Sequence, residues 1–260
     1  MGRLIDIHAH IGHWPFRKLC HNTPEGVIAL AKRFGIDKAL VSNLECVLYR
    51  DVHDGNLDLW ERIRPFGEKL FPAYVINPGF PGWREDLLEC KEALNARAIK
   101  LYPNYHGYSL SDSPARECLA EAERLRLPVL LVVRVLDERC HHPLLLVPPV
   151  ATEDIGAAAR AAKNTIFVVC GAREHEIERL MQFDSDLSNV FFETSNIATP
   201  VASVATLVRN FGSSKFILGT NLPLNYPGAG IAKVLDPPLL REDKEAISHM
   251  NATIILSLGG

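Results

Sequence analysis

Two histidines separated by one residue stand near the start of the chain, in the segment Asp6-Ile7-His8-Ala9-His10. This segment closes the first apolar run, and side chains of a strand alternate between its two faces. We therefore expect Asp6, His8 and His10 to share one face, with Ile5, Ile7 and Ala9 on the other. Neutral imidazole is a common ligand of zinc and similar ions, so the strand end predicts part of a metal site. The alternative is a pair of solvated loop histidines.

The composition indicates a globular α/β protein. Hydrophobic residues make up 47% of the 260 residues, and the formal net charge is −3 with a pI near 6.4. One domain over residues 1–260 fits this length, although two would also fit. The chain lacks the basic balance of nucleic-acid-binding proteins, and no apolar run reaches the ~20 residues of a membrane span. We expect no nucleic-acid or membrane partner, and the composition allows a homo-oligomer.

The cysteines give little support for a disulfide framework or a classical zinc motif. Six cysteines are scattered without Cys-x-x-Cys spacing, and no secretory leader precedes the first strand. Reduced thiols and a cytoplasmic location are therefore expected. In Cys140-His141-His142 the adjacent side chains do not readily converge on one ion, so this segment predicts a polar loop.

Short apolar runs alternate with helical patterns along the chain. The predicted strands are residues 4–8, 39–42, 70–75, 98–101, 129–133, 165–169, 190–193 and 216–219. The first predicted helix begins at Thr23-Pro24 and ends before Gly35. The other predicted helices cover residues 57–64, 85–94, 115–125, 155–162, 174–181, 201–210 and 241–250. Thr23-Pro24, Ser113-Pro114 and Thr199-Pro200 each place a capping hydroxyl before a proline in the first turn. Strands rich in Val, Ile, Leu and Phe are typical of parallel sheets covered on both faces.

Eight strand–helix units in about 250 residues predict a (β/α)8 TIM barrel. A doubly wound sheet would also alternate, but no Gly-x-Gly-x-x-Gly follows the first strand. Catalytic groups of a barrel stand at the carboxyl ends of its strands. The polar residues predicted there are His8, His10, Lys100, Arg134, Cys170, Glu193 and Asn221. A charged residue within an apolar strand must find polar neighbours, so Lys100 is assigned to the site.

Several motifs of the chain resemble the amidohydrolase superfamily. They are Asp6-Ile7-His8-Ala9-His10-Ile11-Gly12, Ile99-Lys100-Leu101-Tyr102-Pro103, Pro128-Val129-Leu130-Leu131, Gly219-Thr220-Asn221-Leu222-Pro223 and Asn251-Ala252. The chain is most similar to the amidohydrolase-related branch, which includes carboxymuconate-semialdehyde decarboxylase-like enzymes and lactone hydrolases. The resemblance implies a barrel with one metal ion, usually zinc or manganese, at its carboxyl end.

The metal ligands that the resemblance implies are only partly present. The family's His-x-His falls on His8 and His10, but its fifth-strand histidine falls on Val132. Its sixth-strand histidine, which assists catalysis, falls on Cys170, and its eighth-strand aspartate, a ligand and proton acceptor, falls on Asn221. Valine binds no metal, and asparagine carries no charge. Catalytic zinc normally needs three protein ligands, so we expect Cys170 to complete the set and zinc to be bound weakly or not at all.

The remaining polar residues suggest an anionic substrate. Arg134, two residues beyond the lost histidine, is expected to bind a substrate carboxylate with two parallel hydrogen bonds, assisted by Lys100. The alternative for Arg134 is a loop position paired with Asp137 or Glu138. Glu193 is the evident strong base, and the alternatives for it are a third metal ligand or a partner of Lys100. The loop histidines 141 and 142 are further alternatives for that ligand.

Three functions follow from these residues. The leading prediction is an amidohydrolase-related hydrolase that cleaves an amide, ester or lactone of a small carboxylated molecule, with an altered or absent metal site. The first alternative is a metal-independent decarboxylase-like enzyme that uses Arg134, Lys100, Glu193 and Asn221. The second alternative is a noncatalytic barrel that binds a ligand. Barrels host unrelated chemistries, so the fold does not choose among them.

Overall fold

Eight parallel strands follow the order of the chain in a computed structural model that describes residues 3–183, 187–197 and 203–257. The strands are β1 Ile5–Ile11, β2 Lys38–Asn43, β3 Leu70–Val75, β4 Ala98–Leu101, β5 Val129–Val132, β6 Phe167–Cys170, β7 Val190–Glu193 and β8 Phe216–Ile217. The Ile7 N–H donates to Leu218 O (3.1 Å) and the His10 N–H to Leu222 O (2.8 Å), so the segment from β8 onward pairs with β1. The chain is a single-domain (β/α)8 barrel, which confirms the predicted fold.

Helices connect the successive strands. They are α1 Pro24–Arg33, α2 His53–Ile63, α3 Trp83–Glu92, α4 Pro103–His106, α5 Ser113–Arg124, α6 Thr152–Ala161, α7 Glu174–Phe183, α8 Ser203–Phe211, α9 Pro227–Leu235, α10 Arg241–Glu245 and α11 Asn251–Ile255. Helix α1 begins as predicted, because Thr23 Oγ1 accepts the Gly26 N–H (3.1 Å). None of the described helices is long and apolar enough to cross a membrane.

Some helix predictions differ from the structure. Asp112, and not Ser113, is the residue that precedes α5. Helices α4 and α9 were not predicted, because α4 has only one turn and the two glycines of α9, Gly228 and Gly230, lower its helix propensity. The last predicted helix continues past residue 250 through a π-helical turn, Ala246–Met250, into α11. The predicted cap at Thr199-Pro200 lies outside the described residues.

Apolar side chains form two clusters on the two sides of the strands. The outer cluster joins strand residues such as Val41, Ile99 and Val169 to the helices. The inner cluster fills the barrel with alternate strand residues, among them Leu130 and Val168. Strands with both faces buried in this way explain the near-continuous apolar runs of the sequence.

A bulge in β1 changes which residues face the interior. The register between β1 and β2 shifts within the first strand. Ile5 and Ile7 pack in the inner cluster, whereas Ala9 packs in the outer one. The prediction that these three residues share a face is therefore wrong, because the extra residue of a bulge reverses the alternation. As a result, His8 and His10 contact polar groups inside the barrel.

Candidate active site

A buried polar cluster occupies the carboxyl end of the barrel interior. Its members are His8, His10, Ser42, Lys100, Glu193 and Asn221, each exposed by 1% or less. Five strands or the loops after them contribute these side chains, so residues distant in sequence meet at one end of the barrel. The structure thus brings five of the predicted site residues together with Ser42, which was not predicted.

A chain of hydrogen bonds runs through the middle of this cluster. Lys100 Nζ lies 3.1 Å from Ser42 Oγ, and Ser42 Oγ lies 3.0 Å from His10 Nδ1. His10 Nε2 lies 3.0 Å from Asn221 Oδ1, while Asn221 Nδ2 donates to the Val135 carbonyl (3.0 Å). Since the amide nitrogen is used as a donor, Asn221 Oδ1 accepts from Nε2–H of the ring. His10 Nδ1 is then the acceptor for the Ser42 hydroxyl.

The fixed tautomer of His10 is accompanied by a low proton affinity. Burial, and then the charge of Lys100, lower the pKa of His10 well below 6.5. The imidazole is therefore neutral near pH 7, with both nitrogens engaged. The neutral ring accepts a hydrogen bond from Ser42 through Nδ1, and the Ser42 hydroxyl connects it to Lys100.

Lys100 is a buried cation without a carboxylate partner. Its ammonium donates to Ser42 Oγ, and no ion pair joins it to a carboxylate among the described residues. Burial lowers its pKa from 10.5 to about 8. The charge is desolvated and uncompensated at close range, which is an unfavourable state that a bound anion would relieve.

Glu193 is held as a carboxylate by backbone and side-chain donors. The Gly171 N–H donates to Oε1 (2.6 Å), the Ser195 N–H to Oε2 (2.7 Å) and the Ser195 hydroxyl to Oε1 (2.8 Å). His8 Nδ1 lies 3.3 Å from Oε1. Burial opposes ionisation, but the charge of His8 and these hydrogen bonds outweigh it and lower the pKa of Glu193 to about 2. Glu193 is thus a weak base that orients its neighbours.

Two glycines make room for the Glu193 carboxylate and its loop. A Cβ atom on Gly219 would lie 2.2 Å from Glu193 Oε2. Gly171 has a φ of +77°, and a Cβ there would lie 2.4 Å from Arg134 O. Only glycine fits both positions without rearrangement.

Asp6 of the first strand accepts hydrogen bonds from the loop after β8. Its carboxylate accepts the His8 N–H (2.9 Å), the Thr220 N–H (3.0 Å) and the Thr220 hydroxyl. Burial raises the pKa of Asp6 to about 7. Because Thr220 precedes Asn221, this contact positions the amide against His10. Ser42 and Thr220 were missed in the sequence as site residues, although each lies at the carboxyl end of a predicted strand.

Arg134 belongs to an ion-pair network beside the cluster. Its guanidinium donates to Glu138 (3.0 Å), to the Gly171 carbonyl (2.7 Å) and twice to Glu176. The side chain is buried, and its guanidinium N–H groups donate to protein acceptors. Of the alternatives stated for Arg134, the pairing with Glu138 is observed. Binding of a substrate carboxylate by Arg134 stays a prediction.

The thiol of Cys170 lies inside the barrel next to Val132, its β5 register partner. Burial raises the pKa of Cys170 well above 9.0, so the group is a thiol. Its Sγ lies 3.6 Å from Val168 O, in the arrangement of a buried small hydrophobic residue. A thiol in this state is poorly prepared to bind zinc, which takes thiolate.

The loops after β1 and β5 contact each other. Trp14, from the loop after β1, packs in the inner cluster, and its ring lies 5.9 Å from that of Phe16. Phe16 stacks on His142 of the loop after β5, with ring centres 4.9 Å apart. His141 Nε2 lies 3.3 Å from Leu136 O. Both loop histidines considered as ligands therefore have partners within these loops.

The whole sequence aligns with one protein family. The amidohydrolase family profile matches residues 5–258. The chain belongs to the amidohydrolase family. No curated protein sequence shows significant similarity to it. The resemblance inferred from the sequence motifs is thereby confirmed.

Several solved structures with the same fold are decarboxylases, each at low sequence identity to this chain. One is 2,6-dihydroxybenzoate decarboxylase complexed with 2,6-dihydroxybenzoate (TM-score 0.79, 14% identity, 99% of this chain and 100% of the other). Another is dihydroxybenzoic acid decarboxylase from Polaromonas with manganese and 2-nitroresorcinol (TM-score 0.77, 12% identity, 99% of this chain and 98% of the other). A third is 5-carboxyvanillate decarboxylase from Novosphingobium aromaticivorans with manganese and 4-hydroxy-3-methoxy-5-nitrobenzoic acid (TM-score 0.74, 11% identity, 98% of this chain and 96% of the other).

The donor set of this chain does not fit the divalent metal that such relatives hold. Within the described ranges, no group of three His, Cys, Asp or Glu side chains is placed to bind one ion. Both nitrogens of His10 are hydrogen-bonded, and Val132 stands where the family implies a ligand. Burial, and then the charge of Lys100, lower the pKa of both His8 and His10, and the same charge would repel a divalent cation. Weak zinc binding by His8, His10 and Cys170 stays a prediction.

Proposed function

We propose that the chain is a metal-independent decarboxylase-like enzyme acting on a small carboxylic acid at the carboxyl end of its barrel. The observation that carries the proposal is the buried Lys100 ammonium, which has one hydrogen bond to Ser42 and no carboxylate partner among the described residues. It supplies one positive charge at the carboxyl end of the barrel, and two of the relatives named above are solved with manganese, a cation of their own.

Decarboxylation needs what this charge provides. When the bond to the carboxylate breaks, carbon dioxide leaves and the bonding electron pair stays on the substrate. A fixed cation in a site closed to water stabilises that pair far better than the same cation in solvent. The carbon then takes up one proton, drawn in the end from solvent, and the reaction balances.

The site supports decarboxylation better than the hydrolysis predicted first from the sequence. Hydrolysis needs a group that takes a proton from water. Glu193 is occupied by three donors and has its pKa lowered to about 2, and the amide of Asn221 accepts no proton. The structural relatives act in addition on aromatic carboxylic acids, as their names state.

Release of carbon dioxide tests this proposal directly. Purified chain is incubated with EDTA and either 2,6-dihydroxybenzoate or 3-oxobutanoate, each labelled with ¹³C in the carboxylate. We expect labelled carbon dioxide from one of them, its loss in Lys100→Met and its retention in Lys215→Arg. Turnover that requires added manganese and disappears with EDTA would contradict the proposal. Binding of either acid without release of carbon dioxide would instead support the noncatalytic barrel.

A further inference from the structure

We propose that Lys100 is a covalent catalyst, whose side-chain nitrogen forms an imine with the carbonyl carbon of a small oxo acid. This inference deepens the proposed function and rests on it for the loss of carbon dioxide. Three features of the geometry support it. Lys100 is buried, its nitrogen is mostly free of protein acceptors, and one hydroxyl connects it to a neutral imidazole.

The surroundings of Lys100 differ from those of a structural lysine in the same chain. Lys215 Nζ donates to three carbonyls, those of Leu187 (2.6 Å), Ser188 (3.2 Å) and Val190 (3.1 Å). Among the residues that the structure describes, Lys100 Nζ has a single hydrogen bond, to Ser42 Oγ. An amine that no carboxylate fixes as ammonium loses its proton readily when buried, which is the state in which lysine acts as a nucleophile. The lowered pKa of Lys100, about 8, agrees with this environment.

A hydroxyl that can carry a proton to and from the amine is already in place. Ser42 Oγ stands between Lys100 Nζ and His10 Nδ1, at 3.1 and 3.0 Å. Because Asn221 Oδ1 accepts from Nε2–H, His10 Nδ1 accepts from the Ser42 hydroxyl. Ser42 can therefore pass a proton between Lys100 and the substrate oxygen, and His10 and Asn221 are positioning residues that hold its hydroxyl beside the amine.

The covalent steps balance without an oxidant or reductant. The Lys100 amine attacks the carbonyl carbon, a C–N bond forms, and the carbonyl oxygen takes a proton. Loss of one water gives the protonated imine. In a 3-oxo acid the bond to the carboxylate then breaks, carbon dioxide leaves, and the electron pair moves toward the iminium nitrogen to give an enamine. The carbon takes a proton, and one water hydrolyses the imine to product and free Lys100.

This chemistry selects among carboxylic acids. An imine requires a ketone or aldehyde carbon, and a ring-hydroxylated benzoate has none. A 3-oxo acid has one at the position from which the iminium nitrogen can draw the electron pair. We therefore infer that small 3-oxo acids are the substrate class of the buried site.

Reductive trapping tests the imine independently of turnover. The full chain is incubated with 3-oxobutanoate, EDTA and sodium cyanoborohydride, digested, and mapped by mass spectrometry. We expect Lys100 to carry an isopropyl group, because carbon dioxide leaves before reduction. The label should vanish in Lys100→Met and persist in Lys215→Arg. In Ser42→Ala the trapping rate should fall on the order of 100-fold, as for loss of a proton-transfer group, and Ser42→Thr should restore most of it.

The outcomes separate the two proposals. Labelling that is unchanged in Lys100→Met, or that avoids Lys100, overturns the imine. Metal-independent release of carbon dioxide without a Lys100 adduct leaves the decarboxylase standing and likewise refutes the imine. An adduct at Lys100 that keeps its carboxylate, without release of carbon dioxide, supports the imine and refutes the decarboxylase.

Discussion

Replacement of Lys100 by methionine should make the protein more stable at pH 7. Methionine has nearly the length of lysine and carries no charge, whereas the ammonium is buried with one hydrogen bond. A pKa displaced from 10.5 to about 8 corresponds to ~3 kcal/mol, since each pH unit is worth about 1.36 kcal/mol. Ser42 loses a donor and the core must adjust, so we expect a gain of about 1–3 kcal/mol in the free energy of unfolding.

The gain should depend on pH with a defined sign. Below about pH 8 both folded and unfolded chains carry a protonated Lys100, and the folded state bears the full desolvation penalty. Between about 8 and 10.5 the folded protein loses the proton first, so wild-type stability rises relative to Lys100→Met. The difference between the two proteins should therefore shrink above pH 8. Urea unfolding at pH 7 and at pH 9.5 measures it.

Lys215→Met is the matched control for this experiment. It removes a lysine whose three N–H groups are all used, leaving three carbonyls without that donor. We expect it to destabilise the protein by about 1–3 kcal/mol at pH 7. Destabilisation of similar size by Lys100→Met would refute the reasoning, because it would show that the Lys100 ammonium is well satisfied in the folded state.

Further predictions concern the neighbouring groups. Gly171→Ala should destabilise by about 3 kcal/mol or more, and the control Gly107→Ala, which meets no atom within 4 Å, by about 1 kcal/mol in thermal unfolding. Arg134→Met should lower stability by about 2–4 kcal/mol, because it removes the guanidinium that pairs with the partly buried Glu176 and Glu138. Trapping of 3-oxobutanoate should stay within about threefold of wild type, and loss of trapping would show that Arg134 takes part in the site. Elemental analysis should find well under one equivalent of zinc or manganese, unchanged by His8→Ala or His10→Ala; a full equivalent lost on either substitution would refute the metal-independent site.

The fold was largely predictable from the sequence, because alternating apolar runs and helix signals leave few architectures of this length. Strands 70–75, 98–101 and 190–193 have the predicted bounds. The face of β1 was not predictable, since strict alternation does not reveal a bulge. Helix α9 was not predictable from local patterns either, because it depends on tertiary packing and its two glycines do not favour a helix.

Within the site, the residue types were predictable but their partners were not. His8, His10, Lys100, Glu193 and Asn221 meet at one end of the barrel as expected. The pairing of Glu193 with the backbone of Gly171 depends on a left-handed turn between two strands, which no spacing rule predicts. Arg134 illustrates the same limit, since its partner Glu176 lies 42 positions further along the chain and on another element.

Charge balance connects the departures from the family pattern. A divalent ion needs several negative or neutral donors facing it, and it needs no competing cation. Here the carboxylates of Asp6 and Glu193 are each satisfied by backbone N–H groups and hydroxyls, and Asn221 adds a neutral amide. Lys100 then remains as the charge without a close partner. A site with that balance is complementary to one small organic anion, and the same nitrogen that attracts the anion can react with its carbonyl carbon. Asn221 in place of a ligand carboxylate, and Lys100 without a close carboxylate partner, therefore both favour a bound anion over a bound divalent cation.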